Sequence, residues 1–145
     1  MRTKLSNWYE VTACYMKMQS DGSESKTTDM LVVDALSFSE AEKRALKELA
    51  SQVHGGIDIK NINPAAYKEV LFNEESEGRW YKAKVSFITL DEQSGREKRK
   101  STTYLVQAGT FEDAVTAIHT FMRDNLGDYA TATLSETKIS EVYEK

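Results

Sequence analysis

Two stretches of eight residues share a Trp-Tyr opening and one pattern of alternation, and they determine the predicted fold. Residues 8–15 read Trp-Tyr-Glu-Val-Thr-Ala-Cys-Tyr, and residues 80–87, 72 positions later, read Trp-Tyr-Lys-Ala-Lys-Val-Ser-Phe. After the Trp, every second residue of both copies is apolar or aromatic. An alternation with a period of two is typical of a β-strand that buries one face. The sequence therefore predicts two equivalent strands and an internal repeat.

A hairpin turn follows each of these strands. The first contains Asp21-Gly22 and the second Ser94-Gly95, and both dipeptides are hairpin signals because glycine reaches positive φ without steric cost. The two glycines are 73 positions apart, so the second hairpin is one residue longer than the first. The returning strands align at the new offset, with Leu31, Val33 and Ala35 matching Tyr104, Val106 and Ala108.

Each hairpin leads into a predicted amphipathic helix. Ser37 and Glu40 fit a capping box at the start of the first helix, and Thr110 with Asp113 is its shorter counterpart in the second. Apolar residues at helical spacing follow both caps: Phe38, Ala41, Ala45, Leu49 and Val53, then Phe111, Ala114, Val115, Ile118, Phe121 and Met122. Gly55-Gly56 after the first helix and Gly127 after the second are expected to end the helices in the left-handed conformation.

A closing extended segment completes each repeat, from Ile57 to Phe72 and from Tyr129 to Tyr143. Within these segments, residues 69–70 and 141–142 both read Glu-Val. Asn63-Pro64 predicts that the first segment forms two pieces, with a bulge, turn or edge position at the proline, because proline cannot donate to a ladder. Residues 73–78, with three glutamates, are predicted to be a solvated connector.

The predicted fold class is α+β. We expect two tandem β-β-α-β(β) repeats, residues 1–73 and 74–145, packed as one compact pseudo-twofold domain with mainly antiparallel sheet. One repeat alone would bury too little apolar surface to be stable, so the repeats should pack together. The sequence leaves open one continuous sheet or two sheets that share a core.

Composition narrows the function classes. The chain has 145 residues, a net charge of −4 and an estimated pI of 5.3, which argues against coating nucleic acid or anionic membrane by bulk charge. Cys14 is the only cysteine, so neither an internal disulfide nor a multi-cysteine metal cluster is expected. No stretch has the apolar length of a signal peptide core or a membrane span. We expect a cytoplasmic protein without a cofactor, a metal or a membrane partner.

The first repeat carries a family resemblance. Its Trp-Tyr strand opening, its Asp-Gly hairpin and the run Leu-Val-Val-Asp-Ala-Leu-Ser-Phe-Ser-Glu-Ala-Glu at residues 31–42 resemble an uncharacterised domain-of-unknown-function family of gut anaerobic bacteria and their phages. The resemblance covers essentially the whole chain. It implies a bacterial or phage cytoplasmic protein and carries over no catalytic residue.

The single repeat is also similar to the arm-binding domains of phage-type tyrosine recombinases, in its aromatic hairpin and its Phe-Ser-Glu-Ala-Glu helix start. Those domains read DNA with a sheet face. This chain differs in its acidic charge, in the strand that follows the helix and in lacking a downstream recombinase domain.

The second hairpin holds the most suggestive candidate site. Trp80, Lys82 and Lys84 should share one strand face, and the returning strand begins with cations; these possible nucleic-acid or ligand contacts are Trp80, Lys82, Lys84, Arg96, Lys98, Arg99 and Lys100. If they gather, the cations would hold phosphates while the indole stacks on a base. The alternative is that lysines on an edge hairpin keep it soluble.

Two further sets of residues have competing interpretations. Trp8 and Trp80 either pack in the core or line an aromatic groove between the repeats. Cys14 is expected to be an inert packed thiol, and His54 and His119 have no cysteine or second histidine at ligand spacing, so no metal role is expected for them.

Three functions remain. The first is a non-enzymatic protein-interaction or assembly module of a bacterium, phage or mobile element, which is expected to bind a protein partner or to self-associate through a sheet edge or the outer hairpin face. Apolar residues such as Met30, Val32 and Leu105 on the second face of the returning strands motivate it. The second is nucleic-acid binding through the basic hairpin. The third is an enzyme of unknown type, which would need a pocket with convergent polar groups.

Overall fold

The computed structural model describes residues 2–73, 78–125 and 131–144. Residues 74–77 of the predicted connector and Gly127, a predicted helix stop, lie outside the described residues. The elements are β1 (Arg2–Lys4), β2 (Trp8–Met18), β3 (Glu24–Asp34), α1 (Phe38–Ala50), β4 (Ile57–Ala65), β5 (Tyr67–Phe72), β6 (Arg79–Leu90), β7 (Glu97–Ala108), α2 (Phe111–Asn125), β8 (Thr131–Glu136) and β9 (Ile139–Tyr143). After β1, the order β-β-α-β-β therefore occurs twice.

The strands form two sheets. One has the order β4-β2-β3-β9 and the other β1-β5-β7-β6-β8. The pairs β3–β9 and β5–β7 are parallel, while the remaining pairs of the described strands are antiparallel. The predicted α+β class with mainly antiparallel pairing is confirmed, and there are two sheets instead of one continuous sheet. Pro64 lies in β4 at a sheet edge, one of the positions predicted for it.

The two hairpins have equivalent registers. Trp8 pairs with Asp34 in the first and Trp80 with Gln107 in the second. Farther along, Val11 pairs with Leu31 and Ala83 with Tyr104. These are the positions that offsets of 72 and 73 residues predict. The equivalence concerns structure, and a duplication in the ancestry of the chain stays a prediction.

The last strand of each repeat lies in the sheet of the other repeat. β5 follows the first hairpin in sequence but pairs with β7, with Glu69 opposite Tyr104. β9 follows the second hairpin but pairs with β3, with Glu141 opposite Leu31. Two compact units result: the first unit holds β2, β3, α1, β4 and β9, and the second unit holds β1, β5, β6, β7, α2 and β8. Their boundaries therefore differ from the division at residue 73 along the sequence.

Each helix covers the sheet of its own unit. In the first unit, Ala41, Ala45 and Leu49 of α1 pack with residues of β2 and β3 such as Val11 and Val33. In the second unit, Ile118, Phe121 and Met122 of α2 pack with residues of β5, β6 and β7: Leu71, Ala83, Val85, Tyr104 and Val106. Small alanines on α1 allow a close approach to the sheet, and their burial favours folding by the apolar area removed from water.

The helices begin where the sequence predicts. The backbone N–H of Glu40 donates to Ser37 Oγ at 3.1 Å, and that of Asp113 donates to Thr110 Oγ1 at 3.1 Å. The predicted left-handed stop at Gly55-Gly56 is wrong, because α1 already ends at Ala50 and its C-cap, Ser51, is right-handed. Its cap N–H donates to the carbonyl of Leu49, so the last turn closes without glycine.

Positive φ angles occur at the two predicted hairpin glycines, 87° at Gly22 and 71° at Gly95. Within the described residues, neither helix has the length and apolar character needed to cross a membrane.

Candidate functional site: the two hairpin arms

The first hairpin extends beyond the strands beside it. Pairing of β2 with β4 stops at Tyr15 opposite Ile57, and pairing of β3 with β9 starts at Met30 opposite Ile139. Among the described residues, the strand positions within residues 16–29 therefore pair only with each other. We call residues 16–29 the first arm.

The second hairpin extends in the same way. Pairing of β6 with β8 stops at Ser86 opposite Thr131, and pairing of β7 with β5 starts at Thr103 opposite Tyr67. Residues 87–102 thus form the second arm, in which the described strand positions pair only within the hairpin. A two-stranded ribbon has little core of its own, so both arms offer faces and edges to other molecules.

Each arm exposes two large apolar side chains at equivalent positions. Met16 and Met18 are 47% and 67% exposed, and Ile88 and Leu90, each 72 positions later, are 43% and 71% exposed. Tyr15 and Phe87 pack towards the helix side of their sheets, so by strand alternation these pairs lie on the opposite, reverse face. The sequence predicts either an apolar interaction face on the first hairpin or core packing for Met16 and Met18 with Met30, whereas it does not single out Ile88 and Leu90. Their exposure depends on where the neighbouring strands stop.

The second arm is basic on its returning strand. Residues 96–100 carry Arg96, Lys98, Arg99 and Lys100 against Glu97, a net charge of +3, and all are exposed. Lys98 Nζ lies 3.5 Å from Asp91 Oδ2. The pKa of Asp91 lies below its usual value, first because the backbone N–H of Gln93 donates to its carboxylate and then because Ser94 and Lys98 add contacts. The turn of the arm is therefore held by an ionised carboxylate.

The structure corrects the predicted gathering of cations around Trp80. Register places Lys100 opposite Phe87, so Lys98 and Lys100 lie on the helix side, while Arg99 lies opposite Ile88 on the reverse face. Lys84 is exposed on that reverse face, but Lys82 Nζ lies 5.5 Å from the Tyr67 ring centroid. The predicted cations thus divide between two faces.

Neither indole is exposed, so the predicted base stacking by Trp80 and the aromatic groove of Trp8 and Trp80 are corrected as well. Trp80 is 3% exposed and packs edge-on against Phe72, with ring centroids 5.6 Å apart. Trp8 is 2% exposed, and its Nε1 has no hydrogen-bond partner among the described residues. The burial of the large indole ring stabilises the fold, and this gain outweighs the cost of about 1–3 kcal/mol for the Nε1–H donor that has no partner among the described residues.

A cleft of about 420 Å³ lies at the root of the first arm. Its lining residues come from β2, the start of β3 and the loop after α1: Tyr15, Met16, Lys17, Met18, Glu24, Gln52, Val53, His54, Gly55 and Gly56. This cleft was not predicted from the sequence, because its two sides are distant along the chain and Gly55-Gly56 was interpreted as a helix stop. The available signals were the alternate methionines Met16 and Met18 in one strand and the Gly55-Gly56 pair after the helix.

Tyr15 is fixed at one side of this cleft. Its phenol donates a hydrogen bond to the Asp29 carboxylate. Burial, and then the contact with Asp29, raise the pKa of Tyr15 to about 12. The phenol therefore stays protonated at neutral pH and acts as a donor. On the other side of the cleft, Gln52 Nε2 donates to Tyr143 Oη at 3.3 Å, which ties the loop to β9.

Cys14 is buried beside the first arm, with Sγ 3.3 Å from Thr28 Oγ1. His54 lies at the cleft and His119 is exposed on α2. In the part of the chain that the structure describes, no group of three or more His, Cys, Asp or Glu side chains could hold a metal ion.

Comparison with known proteins identifies a family. The family described as "Domain of unknown function (DUF4494)" matches residues 7–145, which confirms the expected uncharacterised domain family. No curated protein and no solved structure matched the chain. The gut and phage setting and the similarity to recombinase arm-binding domains stay predictions.

Proposed function

We propose that this chain, which belongs to the DUF4494 family, is a non-enzymatic protein-interaction and assembly module whose two arms are its contact surfaces. One observation carries the proposal: both arms expose an apolar pair at equivalent positions, Met16 with Met18 and Ile88 with Leu90. A cytoplasmic, bacterial or phage setting is part of the proposal and rests on the resemblance in sequence.

Removing the exposed apolar side chains of the arms from water would stabilise a complex. Complete burial of a side chain of this size contributes about 1.5–3 kcal/mol, so covering the part of Leu90 or Met18 that is now exposed would contribute about 1–2 kcal/mol each. Projecting ribbons with exposed apolar side chains favour a partner that covers them. Two equivalent arms would allow one chain to hold two partners or two parts of one partner.

The sheet faces give weaker support than the sequence suggested. Val32 and Leu105, which motivated an interaction through the second face of the returning strands, are both fully buried within the chain. The support for a partner therefore comes from the exposed side chains of the arms and not from the sheet faces.

Site-specific photocrosslinking tests this function. A photoreactive amino acid replaces Met18 or Leu90 in the full chain, with Lys43 and Glu112, exposed on α1 and α2, as matched control positions. We expect defined crosslinked products in the native host at the arm positions, and their loss when the other apolar residue of the arm becomes serine. Equal products at the helix positions, or none at the arms, would contradict the proposal.

Nucleic-acid binding is the second candidate, and the basic ribbon favours it. A two-stranded β-ribbon fits the major groove of DNA, and the exposed cations of the second arm could contact phosphates. Replacing Lys98, Arg99 and Lys100 by alanine should then weaken duplex binding and reduce its salt dependence. Lys17→Ala in the first arm is the control and should leave both unchanged. An absence of retained duplex at low salt would exclude this candidate.

A further inference from the structure

We propose that one edge of the second arm binds an extended acidic segment of a partner protein by β-strand addition. The edge, which we call the basic edge, is the side of β7 residues 97–102 that faces away from β6. This inference rests on the proposed interaction function and names the chemistry of one partner.

The backbone of the basic edge can accept another strand. Residues 97–102 pair on one side with β6, from Leu90 opposite Glu97 to Val85 opposite Thr102. On the other side, β5 pairs with β7 only from Thr103 onward, and no other described strand pairs with this stretch. About three N–H and three C=O groups of a six-residue edge point outward, because successive residues alternate between the two sides. A peptide strand can complete this ladder, as it does in domains that bind by strand addition.

The charges favour an acidic strand. Lys98 and Lys100 project on the helix side of β7, while Arg99 projects on the reverse face. Side chains of an added strand alternate between the same two faces, so acidic residues on either face would meet a cation. Each cross-strand pair of opposite charge contributes about 0.2–1 kcal/mol. The division of cations that argues against one phosphate-binding face therefore suits a strand placed at the edge.

Other occupants fit less well. Pairing of two basic edges from two copies would bring like charges together across the new ladder, which is unfavourable. The equivalent edge of the first arm, residues 24–29, carries Glu24, Lys26 and Asp29, so its acidic residues are interrupted by a lysine. A nucleic-acid backbone lacks the peptide N–H and C=O groups that would complete the ladder, and it would use the cations alone.

A designed peptide tests the inference with the full chain. The probe is a capped peptide of sequence Thr-Glu-Val-Glu-Glu-Val-Glu-Thr, and binding is followed by calorimetry and by NMR shifts of the backbone amides. We expect shifts centred on residues 97–102 and a loss of affinity of about tenfold or more when Lys98, Arg99 and Lys100 are changed to glutamate. The matched control Lys17→Glu/Lys26→Glu, on the first arm, should retain the wild-type affinity.

A second probe keeps the charges and removes the ladder. The same peptide with alternate backbone nitrogens methylated should lose binding to the wild-type chain. This test uses the wild-type protein alone, so it does not depend on the folding of a variant. Equal binding of the methylated peptide, stronger binding of a duplex oligonucleotide at this edge, or self-association that excludes the peptide would each overturn the inference. If arm crosslinks persist when the peptide does not bind, this inference fails while the proposed function stands.

Discussion

The two hairpins share a register, turn glycines and exposed apolar pairs, and they differ in chemistry at the base, at the root of the arm and in the charge of the arm. At the base, Trp8 pairs with Asp34 and Trp80 with Gln107. Beside them lie the exchanged strands, β9 at the edge of its sheet and β5 between β7 and β1. Near the root of each arm the aromatic residue is Tyr15 in one hairpin and Phe87 in the other.

The features that both hairpins share are the ones that the hairpin fold uses in both places. The positions of strand pairs, the turn glycines and the apolar pairs of the arms are common to both hairpins, whereas buried polar groups and charge are not. The first arm has a net charge of −1 and the second a net charge of +1. The shared strand pairing and turn glycines therefore describe the scaffold, the shared apolar pairs are the proposed contact surface of both arms, and the differing charges describe what each arm can select.

The largest difference should appear at the base of the hairpins. Arg44 donates to both the backbone oxygen and the carboxylate of Asp34, whose side chain is only 4% exposed. Asp34→Ala leaves the guanidinium largely buried without that carboxylate, so we expect a loss of about 3–5 kcal/mol in the free energy of unfolding. Gln107→Ala, the matched change, removes one acceptor for the N–H of Asn73 and should cost about 1 kcal/mol. Urea unfolding measures both.

Removal of both charges provides the control for that prediction. Asp34→Leu with Arg44→Leu should recover much of the lost stability, because neither charge then remains buried alone. An Asp34→Ala variant as stable as Gln107→Ala would show that the two hairpin bases are energetically alike.

The next difference concerns the exchanged strands. Val70 in β5 is fully buried between two strands, while Val142, its equivalent in β9, is half-buried at an edge. Val70→Ala should cost about 2–3 kcal/mol through lost burial and a residual cavity, and Val142→Ala about 1 kcal/mol. Thermal or urea unfolding of the two variants checks this, and equal losses would mean that β1 adds nothing to the burial of β5.

The sequence predicts local pairing well and exchange poorly. The alternation of residues 8–15 and the glycine at position 22 are enough to place Val11 opposite Leu31, because a hairpin's turn determines its register. The pattern of β5 would be the same beside β3 or β7, because both of those returning strands bury apolar residues. Strand exchange is therefore invisible in the pattern, although the sequence correctly matched Glu69-Val70 with Glu141-Val142.

The candidate site was predicted only in part for a similar reason. Alternation places Trp80 on the same face as Lys82 and Lys84, which suggested exposure, but the tertiary structure buries the indole. The open edges of the second arm depend on where β5 and β8 start, and no residue within the arm encodes those limits.

The turns should behave alike in the two hairpins. Gly22 and Gly95 both have positive φ, and an added Cβ at either would meet no atom within 4 Å. Gly22→Ala and Gly95→Ala should therefore each cost about 1 kcal/mol from backbone strain alone. Gly55→Ala is the control, since this residue has neither positive φ nor a close neighbour, and it should cause no loss. Unequal losses at the two turns would break the equivalence of the arms.

The smallest expected effect is a pH-dependent difference in stability between the roots of the two arms, at Tyr15 and at Phe87. The pKa of Tyr15 is raised from 10.0 to about 12, so the folded state favours the protonated phenol. The stability contributed by this group is fully present below pH 10 and is lost as the pH rises from 10 to 12. Tyr15→Phe places at the first root the residue that the second root has at position 87. Urea unfolding across this pH range should show a shallower decline for the variant.

Comparison of the two curves isolates Tyr15 from the other tyrosines. Burial also raises the pKa values of Tyr104 and Tyr143, so both proteins should lose stability in alkali, and only the difference between the two curves reports the raised pKa of Tyr15, which is caused first by burial and then by the contact with Asp29. Parallel curves would mean that neither burial nor the contact with Asp29 raises the pKa of Tyr15 in the folded state. Converging curves would show that the protonated phenol of Tyr15 stabilises the root of the first arm, a contribution that Phe87 cannot make at the second root.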